Sequence, residues 1–157
     1  MTAVAPCLVF VQGAEEAARY YVSLFKDSRV VEVQRSEGNE AFPKGAAMHV
    51  EFELDGQRYT AFDGGEHFRF SEAFSIVASC QTQAEIDTLW EKLLADGGRE
   101  SQCGWLVDRW GLSWQIIPES IGKMLTDAAS GNTAKAMAAM LRMRKLDIAT
   151  LEAAYRS

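Results

Sequence analysis

His49, Glu51 and Glu53 occupy alternate positions of one short segment, and Arg58 and Thr60 follow just beyond an Asp55-Gly56 turn. An imidazole titrates near neutrality, so His49 is the candidate general base, with a solvated strand histidine as the plainer reading. The two carboxylates and Arg58 could hold a polar substrate through paired charges. At i, i+2 spacing, His49 and Glu51 could also present two points to a metal ion. Farther along, Gln115 offers a ligand both a donor and an acceptor. Little else in the chain invites chemistry. His67 is the second of two histidines, and Cys7, Cys80 and Cys103 are scattered with no CxxC pair. Neither a disulfide framework nor a zinc knuckle is indicated, and without a G-x-S-x-G elbow a hydrolytic triad has little support.

These residues need strands to position them. Asp-Gly between alternating runs predicts a hairpin joining His49–Leu54 to Gln57–Asp63, since both turn residues must accept positive φ. A two-residue turn pairs Glu53 with Arg58, Glu51 with Thr60 and His49 with Phe62, which puts all six side chains on one face. Val50, Phe52, Leu54, Tyr59 and Ala61 take the other face and must pack on helices. The polar face is then left toward the concave side.

The same pattern occurs twice. Val4–Phe10 is an apolar run followed by a helical stripe of Ala14, Ala17, Ala18, Tyr21, Leu24 and Phe25. Phe74–Ser79 is a second such run, and Thr82 with Glu85 forms a capping box ahead of the stripe Ile86, Leu89, Trp90, Leu93 and Leu94. An offset of 69 superposes the stripes, and an offset of 55 places Gly56 on Gly111 and Thr60 on Gln115. Strand-like segments follow each helix, the second set ending in Gly104–Val107, a tight loop at Asp108–Gly111, and Leu112–Pro118. The expectation is two βαβββ modules, about 1–66 and 70–118. In the second, parity is expected to send Ser113, Gln115 and Ile117 to the cavity, and Trp105, Trp114 and Ile116 to the core.

Composition bounds the rest. The 157 residues, 48% hydrophobic and 24% charged, suit a globular chain rather than a disordered one. A net charge of −6 argues against nucleic acid as a partner. No apolar run approaches the roughly 20 residues of a membrane helix, and no basic leader precedes an apolar segment, so a cytoplasmic protein is expected. Composition shifts after Pro118. Residues 1–118 carry 10 basic and 18 acidic side chains, whereas 119–157 carry 6 and 4. That tail predicts helices over Glu119–Leu125, Thr133–Met143 and about Asp147–Tyr155, a helical extension on the domain 1–118. Its methionines at 137, 140 and 143 suggest buried packing or a dimer contact.

Several blocks also resemble a known family. They are Pro6-Cys7-Leu8, Ala14-Glu15-Glu16-Ala17, Tyr20-Tyr21, Glu51–Gln57, Asp63-Gly64-Gly65, Cys103-Gly104-Trp105-Leu106, Gly111–Ile116 and Met143–Ile148. Together they are similar to the PhnB-like branch of the glyoxalase/bleomycin-resistance/dioxygenase (vicinal oxygen chelate) superfamily, whose members often carry the label 3-demethylubiquinone-9 3-methyltransferase. The resemblance implies an α+β fold of paired βαβββ modules, each curling an open sheet around a cavity, usually in a homodimer. In metal-dependent relatives, four cavity-facing side chains, typically His or Glu, hold one divalent ion. On this chain those places fall at or near Pro6, Thr60, Ser75 and Gln115, with Cys7 the alternative at the first. None is a histidine or a carboxylate.

The expected function is a small-molecule-binding cavity protein without an essential metal or other cofactor. Its ligand, of unidentified class, would meet His49, Glu51, Arg58, Thr60, Phe62, Ser75, Ser113 and Gln115. The alternatives are a metal-dependent lyase, dioxygenase or transferase using His49 and Glu51, and a dimeric interaction protein with no small-molecule ligand.

Overall fold

The computed structural model describes residues 2–157. The chain divides into two compact units, Met1–Phe70 and Ser71–Ser157. The first runs β1 (Cys7–Phe10), α1 (Ala14–Val22), β2 (Arg29–Arg35), β3 (Ala47–Leu54) and β4 (Gln57–Asp63). The second runs β5 (Ser75–Cys80), α2 (Gln83–Leu94), β6 (Arg99–Glu100), β7 (Trp105–Val107) and β8 (Ser113–Pro118), then α3 (Ile121–Thr126), α4 (Thr133–Met140) and α5 (Ile148–Arg156). Each unit holds one four-stranded sheet, ordered β1-β4-β3-β2 in one and β5-β8-β7-β6 in the other. Two βαβββ modules with a helical extension are therefore present, and the fold is α+β. Among the described residues no helix is long and apolar enough to cross a membrane.

The elements form where local chemistry directs them. Asp55 and Gly56 have φ of 48° and 76°, so the β3–β4 turn has positive φ at both central residues. Glu53 faces Arg58 and Glu51 faces Thr60 across it. Helix α1 lays Ala14, Ala17, Ala18 and Tyr21 onto the apolar sheet face, where Val50, Phe52 and Ala61 are fully buried. Its start is fixed from afar, because the Ala14 N–H donates to Asp63 Oδ1 at 2.8 Å. Helix α2 begins with the expected capping box. Glu85 N–H donates to Thr82 Oγ1 at 3.2 Å, while Thr82 N–H donates back to Glu85 Oε2. Both helices thus bury one stripe against one face and leave the opposite sheet face uncovered by their own helix.

In the second unit the tail builds its own small core from Met124, Ala136, Leu146 and Leu151. Helices α4 and α5 are capped by Asn132, which accepts from Lys135 N–H, and Asp147, which accepts from Thr150 N–H. Helix α4 ends at Met140, three residues short of the sequence expectation. Residues 143–147, leading into α5, run as an irregular strap. The Met143 and Arg144 carbonyls accept from the Cys103 and Gly104 N–H groups just before β7, and the Leu146 carbonyl from the Gln83 side chain.

Candidate functional site

The open face of the first sheet carries the residues that alternation selects. Glu51 is in register with Thr60 on β4 and with Glu32 on β2, and His49 is in register with Gln34. On β1, Cys7 lies opposite Thr60 and Val9 opposite Phe62. Arg58 does not bond the Glu53 that faces it. It reaches diagonally to Glu51 at 2.7 Å, and Glu53 takes Arg29 at 3.1 Å instead. Each carboxylate is therefore already matched by a guanidinium, which weakens the case for Glu51 as a metal ligand beside His49.

The open face of the second sheet differs from expectation in one important respect. Trp105 is in register with Gln115, and Val107 with Ser113, so Trp105 stands on the open face and not in the core. Five residues, 108–112, separate β7 from β8. An odd connection pairs positions of like parity, whereas the two-residue β3–β4 turn pairs unlike ones. Trp114 and Ile116 do go to the core, both fully buried. Ile117 shares the parity of Gln115 but packs against the tail core, so the tail walls one end of this face. Ser75 and Val77 on β5 lie opposite Ser113 and Gln115. The Gln115 Nε2–H donates to Ser75 Oγ at 2.9 Å, joining two of the selected residues directly. Ser113 shares this face by parity but is only 2% exposed, so, contrary to expectation, it is not open to a ligand.

Parallel register also corrects the first corner position. Cys7, not Pro6, faces Thr60, just as Val77 faces Gln115. The strands are related by an offset of 70 rather than the 69 of the helices, because β1–α1 spans three residues and β5–α2 only two. Cys7 is exposed on this face. By the same register Val77, not Ser75, is the counterpart of Cys7. The corner pairs are therefore a thiol and a hydroxyl in one unit and a valine and a carboxamide in the other, with Ser75 reaching Gln115 only through its hydrogen bond. Neither pair holds an imidazole or a carboxylate, and a single thiol or a single carboxamide is too few donors for a divalent ion, so these positions do not fit a resident metal. Among the described residues no three His, Cys, Asp or Glu side chains are grouped so as to hold one.

Shifted pKa values lie away from these faces. Burial pushes the Cys80 thiol up to about 11, with Glu85 adding to the effect, which keeps it protonated and inert. Glu15 is held below the usual carboxylate range chiefly by its hydrogen bond from Arg35. Asp87 and Glu100, which hold the strap, are lowered chiefly by Lys145 and by the Trp90 indole N–H respectively.

Comparison with known proteins places this geometry. Residues 2–117 match the family model for 3-demethylubiquinone-9 3-methyltransferase. A PhnB protein of Bacillus cereus is 33% identical, with a TM-score of 0.69 over 74% of this chain and 99% of its own. A Pseudomonas aeruginosa protein, 20% identical, has a TM-score of 0.60 over 76% of this chain and 98% of its own. The fosfomycin resistance protein FosX of Listeria monocytogenes, 11% identical, has a TM-score of 0.53 over 78% and 97%, and so shares the fold. Among curated proteins there is no match. The chain belongs to the PhnB-like 3-demethylubiquinone-9 3-methyltransferase family.

Proposed function

We propose that this protein binds a small organic molecule on its open sheet faces and does so without a resident metal. One observation carries the reading. On β5, Val77 is 51% exposed between Ile76 and Ala78 at 8% each, and it lies opposite Gln115 with Trp105 one strand farther on. An exposed apolar strip next to a carboxamide–hydroxyl pair suits a ligand with one apolar and one hydrogen-bonding part. On the first sheet, His49, Thr60, Phe62 and the Glu51–Arg58 pair share one open face and form a separate, more polar surface. The acidic charge supports a protein free of nucleic acid, and a cytoplasmic location and a homodimeric assembly are proposed with it.

Methyl transfer, which the family label suggests, finds little support in the strand-to-helix turns. The β1–α1 connection is Val11-Gln12-Gly13, and the β5–α2 connection is Gln81-Thr82. Neither is the glycine-rich turn a Rossmann-like methyltransferase presents to its cofactor. The Gln81 and Thr82 amides are both given to Glu85. These turns do not fit a nucleotide-type methyl donor.

A thermal-shift screen of the full chain against metabolites and antibiotics tests the proposal. Ligand at 100-fold its Kd adds about 2.7 kcal/mol, which raises Tm by roughly 5–10 °C in a chain of this size. Gln115→Leu and Trp105→Ala are expected to remove that gain. A screen with no shift, or a shift that survives both substitutions, would refute the proposal.

A further inference from the structure

We infer that Gln83 and the strap 143–147 are positioning elements for Trp105, and through it for the ligand face of the second sheet. The inference rests on the binding role proposed above. Gln83 lies in the first turn of α2, and its carboxamide works like a short strand partner. Its Nε2–H donates to the Leu146 carbonyl at 3.0 Å, and its Oε1 accepts from the Ile148 N–H at 2.9 Å. The strap is thus gripped on both sides of Asp147. Lys145 adds an ion pair to Asp87 at 2.7 Å.

The gripped strap in turn holds the turn before β7. The Cys103 and Gly104 N–H groups donate to the Met143 and Arg144 carbonyls at 2.8 and 2.7 Å. Both residues have positive φ, 58° and 86°, a conformation that costs free energy for cysteine. Without the strap's acceptors that turn has less reason to persist. Gly104 accepts from Ile116 N–H at 2.7 Å, and the next residue is Trp105, facing Gln115. The chain of direct bonds therefore runs from Gln83 through the strap and the left-handed turn to the aromatic ring proposed to meet ligand. No general stabilising role requires that route.

The test uses the full chain labelled with fluorotryptophan, with the Trp105 resonance assigned through Trp105→Phe. Gln83→Ala is expected to shift or broaden the Trp105 signal and leave that of Trp110 in place. Exchange of the Cys103 and Gly104 amides should quicken about tenfold or more, while the β5–β8 ladder keeps its rates. Binding of 8-anilinonaphthalene-1-sulfonate, used as the ligand probe, should weaken about fivefold. If Gln83→Ala does not fold, Gln83→Glu carries the same test, because it keeps the Ile148 bond and sets an oxygen against the Leu146 carbonyl. An unmoved Trp105 signal with unchanged exchange would overturn the inference, as would a moved signal with undiminished probe binding. Failure of the binding role itself looks different: the unsubstituted chain would bind no probe at any face, while the fluorine signal still reported the positioning.

Discussion

Asp108→Ala is expected to cost about 4 kcal/mol of stability, measured as a fall in the urea unfolding midpoint. Asp108 is buried in the β7–β8 connection and accepts three hydrogen bonds. Its Oδ1 takes the Trp110 and Leu112 N–H groups, and its Oδ2 takes the Trp114 indole N–H at 2.9 Å. The alanine variant strands the Leu112 amide and the Trp114 indole in the interior, at roughly 1–3 kcal/mol for each unsatisfied donor. Asp108→Asn keeps one oxygen and should lose about half as much. The effect reaches the site because this connection sets the register of Trp105 with Gln115. A loss below about 1 kcal/mol for the alanine variant would show that the donors find other partners.

The second large effect belongs to Gly104. A Cβ there would sit 2.8 Å from the Ile116 carbonyl oxygen and 3.0 Å from Leu146 Cδ1, on a residue whose φ is 86°. The oxygen is backbone within the β8 strand and cannot swing aside. Gly104→Ala should therefore cost about 3 kcal/mol, combining left-handed strain with overpacking. Gly111 supplies the control, with φ of 89° and no atom within 4 Å of a built Cβ. Gly111→Ala isolates the conformational part, about 1 kcal/mol. Chemical denaturation of both variants checks the difference, and equal losses would remove the strap contact from consideration.

Much of this fold is legible in the sequence because its signals are local. The alanine–tyrosine stripe of α1, the Thr82–Glu85 box and the Asp55-Gly56 turn each act over a few residues, and each element starts where they predict. Helix α1, though, ends at Val22 and leaves Leu24 and Phe25 of the stripe beyond it. The face of β3 and β4 follows from the turn length alone. The second hairpin misleads only through its count. Reading its five-residue connection as odd would have placed Trp105 beside Gln115. The family resemblance leaves the first corner at Pro6 or Cys7, and an offset of 69 taken from the helices does not reveal that one connection is a residue shorter. The strap lay beyond such reading. Gln83 and Leu146 are 63 positions apart, and nothing near either one marks the bond. Asp108 likewise looks like any polar loop residue until three donors converge on it.

The most direct measurement is calorimetric titration of the strongest compound from the thermal-shift screen into chelator-treated, dialysed protein, with metal content determined on the same sample. Binding of the same affinity before and after chelation, with no divalent ion retained in stoichiometric amount, is the predicted result. One ion held per chain, or affinity that vanishes with the chelator and returns with added metal, would contradict a ligand face on the second sheet that works without a metal.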